Sequence, residues 1–194
     1  MGTSSNFGNM LSMAVAAAVL PFLPLLPAQI LLNNFLYDLS QLSIPTDNVD
    51  PSWVARPRKW DTGMIQRFMF GLGPVSSLYD FITFGVMLWM FNAGPELFRA
   101  GWFIESLATQ TLVIFVIRTA GNPFKSRPSR ALVMTVVGGV LAGLFVVVSP
   151  LGSVLGFASL PPLFFGVLVV MTVPYLGVVQ VLKRRFYASS GWTA

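Results

Sequence analysis

The sequence predicts an all-α, polytopic membrane protein: a single membrane domain over residues 1–194, built as a bundle of about six transmembrane helices. Three observations predict this. Hydrophobic residues fill 55% of the 194 positions and charged residues only 10%, with mean hydropathy +0.73, whereas soluble domains carry about 25% charged residues. Six apolar runs, approximately 3–20, 25–44, 64–91, 101–118, 131–149 and 162–182, approach the roughly 20 residues that a bilayer-crossing helix needs. The basic residues between these runs fall on alternate loops.

The first run resembles a signal-peptide core in "MLSMAVAAAVL", but "MGTSSNFGN" before it lacks the Lys or Arg such a signal requires, so it is expected to be a mature helix. Pro21, Pro24 and Pro27 make a tight, rigid turn after it, which predicts that the first two helices lie antiparallel as neighbours. The second run carries Asn33, Asn34, Tyr37, Asp38 and Gln41 within nine positions. In the third, Gly73 and Pro74 predict a kink, because proline removes a backbone hydrogen bond. The fourth holds Glu105 near its outer start. Gly138, Gly139 and Gly143 in the fifth let neighbouring helices approach closely. The sixth runs into Lys183, Arg184 and Arg185.

The chain has no cysteine and no histidine, which excludes disulfides, thiol catalysis, Cys/His zinc sites and histidine bases. A net charge of +5 would suit nucleic acid only if the cations formed a patch. Instead, Arg56, Arg58, Lys59 and Arg67 surround one loop. Arg118, Lys125, Arg127 and Arg130 surround another, and Lys183, Arg184 and Arg185 follow the last run. Arg99 alone lies on the other side. By the positive-inside rule these loops and the carboxyl terminus are cytoplasmic, and six spans put the amino terminus there too.

An ionisable group at membrane depth costs several kcal/mol and marks function by default. Asp38, Asp80 and Glu105 qualify, while Asp47, Asp50, Asp61 and Glu96 fall in loops. Asn34 and Asp38 are four apart and stack on one helix face, which Gln41 continues; Asn6 and Asn9 are three apart on the first helix. If the first two helices are neighbours, Asn6, Asn9, Asn34 and Asp38 make an oxygen-rich site with one carboxylate, to which Asp80 adds a second. Such oxygen donors suit a hard cation such as Mg²⁺. The competing reading is that the amides only hydrogen-bond adjacent helices, and it is strongest for single amides and weakest for Asp38. Glu105 stands close enough to the interface to be solvated. Tyr37, Trp89 and Trp102 fit a core or an interfacial belt better than a site.

The segments "TSSNFGNM", "LPAQILLNNFLYDLSQLSIP", "RPRKWD", "RFMFGLGPVSSLYDF" and "GWFIESLATQTLVIFVIRT" resemble the carboxyl-terminal membrane region of bacterial magnesium-transporting P-type ATPases, from about residue 3 to the end. The resemblance implies the second half of transmembrane helix five followed by helices six to ten, so that the chain opens inside a helix. Calcium-pumping relatives carry Asn-x-x-Glu on helix five and Asn-x-x-Thr-Asp on helix six as cation ligands. The matching residues are Asn6 and Asn9, then Asn34, Tyr37 and Asp38. Asn9 in place of glutamate and Tyr37 in place of threonine lower the negative charge and argue against a two-calcium site. The implied metal ligands are therefore Asn9, Asn34, Asp38, Asn6 and Asp80, with Tyr37, Gln41 and Glu105 behind them.

The resemblance further implies a bacterial inner-membrane protein whose partners are the lipid bilayer and the pump's remaining parts, helices one to four and a cytoplasmic headpiece. The transported ion is Mg²⁺ and the expected direction is import. No "DKTGT" or "TGES" motif occurs in these residues, so the chain is expected not to hydrolyse ATP itself; ATP would be used by those other domains. A free-standing six-helix channel or secondary transporter is the alternative. An inverted repeat would favour it, but the first half is rich in polar residues and the second nearly devoid of acids. A purely structural anchor would leave Asp38 without a reason.

Overall fold

The computed structural model describes residues 2–48, 62–119 and 121–189. Arg56, Arg58, Lys59, Asp50, Asp61 and the "RPRKWD" segment lie outside them. Helices α1 (Gly2–Val19), α2 (Pro27–Gln41), α3 (Thr62–Gly85), α4 (Pro95–Ile117), α5 (Arg130–Val148), the short α6 (Pro150–Val154) and α7 (Pro162–Ser189) make an all-helical bundle. Among the described residues, four helical stretches are long and apolar enough to cross a bilayer: Thr62–Met90, Pro95–Ile117, Arg130–Val148 and Pro162–Ala188. Helices α1 and α2 are shorter, with 18 and 15 residues, and they carry most of the buried amides.

Local chemistry sets the helix ends. Pro27 occupies the first turn of α2, where its missing N–H is no loss, and the Gln29 side chain accepts from the Leu26 N–H at 2.9 Å. Ser129 caps α5 through the Leu132 N–H, and Ser149 caps α6 through that of Leu151. Helix α3 runs unbroken through Pro74. Beyond Gly85, Val86–Met90 widens into a π-turn closed by Phe91 N–H to the Val86 carbonyl at 3.2 Å.

Helix α4 is the centre of the bundle. Of its apolar stretch 89% is enclosed, against 44%, 28% and 22% for the other three spanning stretches. It packs against α2, α3, α5 and α7, while α1 packs on α3 and α2 on α5. The expectation that α1 and α2 are packed neighbours is therefore corrected: the two share almost no direct packing. The proline turn sets the distance between their ends along the chain. It cannot choose which face α1 buries, and Gly8 chooses α3. A Cβ at Gly8 would stand 2.9 Å from the Gly73 carbonyl and 3.0 Å from Ser76 Cβ, and Ser77 donates to the Gly8 carbonyl at 2.9 Å.

The glycines of α5 work the same way. A Cβ at Gly139 would collide with Ser40 Oγ, and one at Gly143 with Leu107 Cδ2, whereas Gly138 faces open space. Gly139→Val is therefore expected to force α2 and α5 apart and to destabilise the bundle by about 1–3 kcal/mol, the usual cost of overpacking. Gly138→Val is expected to be nearly neutral. Unfolding of both variants in mixed micelles measures the difference, and equal stabilities would refute the close approach.

The segment after α2, the segment between α4 and α5 and the last part of α7 meet at one end. Arg118 pairs with Asp47 at 2.9 Å, both nearly buried, and the Ser129 N–H donates to Asp47 Oδ1 at 2.7 Å. Lys183, read from sequence as a loop charge, is fully buried. Its ammonium donates to the carbonyls of Val116, Thr119 and Gly121 at 2.9, 2.9 and 3.0 Å. A cation there meets carbonyls at and just beyond the carboxyl end of α4, where the helix dipole is negative. At the opposite end, Arg99 donates to the Leu23 carbonyl at 3.0 Å, and Gln29 reaches the Leu155 carbonyl at 2.8 Å.

Candidate functional site

The amides of α1 and α2 meet through α4. Ser106 and Gln110 are four apart on α4 and share a face. Asn9 Nδ2 donates to Gln110 Oε1 at 3.2 Å, Gln110 Nε2 donates to Ser106 Oγ at 3.2 Å, and Ser106 Oγ donates back to Asn9 Oδ1 at 3.0 Å. This closes a three-member ring. Gln110 Nε2 also donates to Asn33 Oδ1 on α2, and Asn33 Nδ2 donates to the Phe103 carbonyl at 3.2 Å. Asn33, Ser106 and Gln110 are all buried. Each amide oxygen in the ring accepts one hydrogen bond and keeps a second lone pair.

Beside the ring lies a cavity of about 340 Å³ lined by Asn6, Asn9, Asn33, Asn34, Trp102 and Ser106. It combines an apolar wall with a few convergent amide and hydroxyl groups, the composition of a binding site. A larger cavity of about 540 Å³, between α4 and α7, is almost wholly apolar and offers no such set.

Several residues singled out from sequence come together here: Asn6, Asn9 and Asn34 all line the cavity. Asp38 does not. It is exposed, as is Asn34, and it lies one turn nearer the end with the basic loops. The reason is that α2 buries the stripe Gln29, Asn33, Leu36, Tyr37 and Ser40. Tyr37 is accordingly 1% exposed, within the apolar core, and Gln41 is half-buried at the helix end.

Asp80 and Glu105 form a separate group. Asp80 accepts from Ser12 Oγ at 2.5 Å and from Trp102 Nε1 at 3.0 Å. Glu105 is 1% exposed, which corrects the expectation of a solvated position near the interface. Helix α4 is enclosed along nearly its whole length, so a residue near its outer start is as deeply packed as one at its middle. Trp102 is 1% exposed and bonded to a carboxylate rather than part of an interfacial belt, whereas Trp89 is 84% exposed.

Ser106, Gln110 and Ser12 are residues that sequence reasoning missed, and it named Asn33 and Trp102 without placing them in the site. The available signal was weak. Ser106 and Gln110 have helical spacing in a run already known to be buried, and Asn33 shares a face with Tyr37 and Ser40.

The family model described as "Cation transporting ATPase, C-terminus" matches residues 22–185. The chain belongs to that family. This cation-transporting ATPase C-terminal region is 42% identical, over 99% of its length, to the magnesium-transporting ATPase, P-type 1, of Escherichia coli strain K12. It is 43% identical, over 98% of its length, to a protein of the same description from Salmonella typhimurium strain LT2. The chain spans 22% of the length of these curated relatives. The apolar helices and this membership make it a multi-pass membrane region of a cation-transporting ATPase.

Proposed function

We propose that the chain is the cation-binding transport domain of a pump that imports Mg²⁺ across the bacterial inner membrane, driven by ATP hydrolysis in domains outside these residues. The observation that carries this reading is the hydrogen-bonded amide ring and adjoining cavity shared by α1, α2 and α4. Its donors are uncharged oxygens, which can replace part of the shell of a hard cation that dehydrates reluctantly. Asn6, Asn9 and Asn34 would be ligands from the cavity wall, and Asp38 would supply the compensating charge. Asn33, Ser106 and Gln110 would orient them.

Asp38 and Asn34 are both exposed on α2. Under this proposal the pump's first four helices cover that face and close the site. The end bearing Arg118, Lys125, Arg127, Lys183, Arg184 and Arg185 is cytoplasmic, as the positive-inside rule requires.

Vesicles containing the full pump that carries this chain test the proposal and its main competitor together. Uptake of Mg²⁺ that requires ATP on the cytoplasmic face is expected. Uptake down a gradient without ATP would instead identify a channel or secondary transporter.

A further inference from the structure

The cavity beside the amide ring extends toward the end of the bundle opposite the basic residues. It runs along α1 from Asn6 to Ala14 and along α2 from Asn34 back to Ile30, and its last lining residue in that direction is Leu25. Leu25 lies in the turn between the two helices, 5% exposed and part of the apolar core. Two polar side chains hold this turn. Arg99, in the second turn of α4, donates to the Leu23 carbonyl at 3.0 Å. Gln29 is fully buried: it accepts from the Leu26 N–H at 2.9 Å and donates through Nε2 to the carbonyls of Leu155 and Gly156 at 2.8 and 3.4 Å.

The segment that Gln29 reaches is shaped to meet the turn. Gly156 has φ +79°, a left-handed conformation that suits glycine, and a Cβ there would stand 3.2 Å from Leu26 Cδ1. The Ala158 N–H donates to the Glu96 carbonyl at 3.4 Å, so this segment is itself tied to the start of α4. Capping alone does not account for Gln29. A serine or an aspartate caps a helix as well, without reaching a carbonyl 126 positions along the chain. Gln29 also shares the buried stripe of α2 with Asn33, one turn further on.

We infer, on the reading of this cavity as the cation site with the basic end cytoplasmic, that Leu25 is the barrier at the cavity's outer end. Gln29 is the positioning residue that keeps Leu25 seated. An apolar side chain closes such a path by excluding water, and with it a hydrated ion. The cation therefore enters past Leu25, between the turn and the start of α4, when the Gln29 and Arg99 contacts yield.

A thiol reporter tests this, because the chain has no cysteine of its own. Ala14→Cys places one thiol in the cavity wall, in a full pump carrying this chain with any cysteine outside it changed to serine. A membrane-impermeant thiol reagent applied outside intact cells is expected to label it slowly. Leu25→Ala removes the barrier's bulk and is expected to speed labelling. Gln29→Leu keeps the volume and loses the bridge, so labelling is expected to quicken about tenfold, the shift that a net loss of one or two hydrogen bonds gives. Gln29→His is expected to restore the slow rate, since a neutral imidazole carries one acceptor and one donor nitrogen. In vesicles, Gln29→Leu is expected to lower Mg²⁺ uptake per ATP hydrolysed while hydrolysis continues, whereas a misfolded pump loses both in proportion. Fast labelling without either substitution, labelling unchanged by both, or uptake and hydrolysis falling together in Gln29→Leu would each overturn the inference. Labelling as expected in a pump that shows no ATP-driven Mg²⁺ uptake would instead sink the cation reading and leave the barrier standing.

Discussion

Asp38→Asn in a full pump carrying this region is expected to abolish Mg²⁺ transport while leaving the protein folded and in the membrane. The side chain is exposed on α2 and lies outside the stripe that α2 buries, so removing its charge is expected to leave the bundle intact. Insertion becomes easier if anything, because a charge at membrane depth is expensive. The ion suffers the whole loss. At an effective dielectric of about 20, one unit charge about 4 Å from another contributes about 4 kcal/mol, equivalent to roughly a thousandfold in affinity. Asn9→Ala is expected to weaken transport without abolishing it, since an amide oxygen contributes a dipole and no net charge. Magnesium-limited growth, with membrane abundance measured in parallel, separates the two. Normal transport by Asp38→Asn would mean that the polar face of α2 serves only to pack against neighbouring helices.

Gln110→Leu is expected to be the most destabilising single change in the polar interior. Gln110 alone touches Asn9, Ser106 and Asn33, and it is 1% exposed. Leucine fills the volume but leaves the Asn9 amide and the Asn33 carbonyl oxygen without their partners. Each buried unsatisfied group costs about 1–3 kcal/mol, although interhelical hydrogen bonds in membranes average nearer 0.6 kcal/mol. Those values bracket an expected loss of about 2–5 kcal/mol, read as unfolding of the chain in mixed micelles. Mg²⁺ affinity is expected to fall with it, because Asn9 and Asn33 lose the group that orients them. A transition within about 0.5 kcal/mol of the unmodified chain would show that the ring is not structurally coupled.

The sequence by itself determined that the chain is helical and made for a membrane, and it located the runs that become α1 to α5 and α7. Length and apolarity suffice for that, because a bilayer demands long helices whose backbone groups are satisfied internally. Pro21, Pro24 and Pro27 placed the turn before α2. The sequence also named Asn6, Asn9 and Asn34, through the rarity of amides in such runs.

Which face each helix buries was decided only by tertiary structure. In water, an amphipathic stripe announces the buried face. In a bilayer the outward face is as apolar as the inward one: α2 exposes Leu31, Phe35 and Leu39 while it buries Leu36 and Tyr37. Periodicity therefore could not choose between Asn33 and Asn34, adjacent residues on different faces. Close-packing contacts at Gly8, Gly139 and Gly143 made the choice by fixing how near α1, α2, α4 and α5 could come. That packing put α4 between α1 and α2, drew Gln110 and Ser106 into the ring, and buried Glu105 against Asp80. The same packing turned Lys183 from a loop charge into a buried donor at the carboxyl end of α4, because a lysine stem is long enough to carry its ammonium to carbonyls at and just beyond another helix's end.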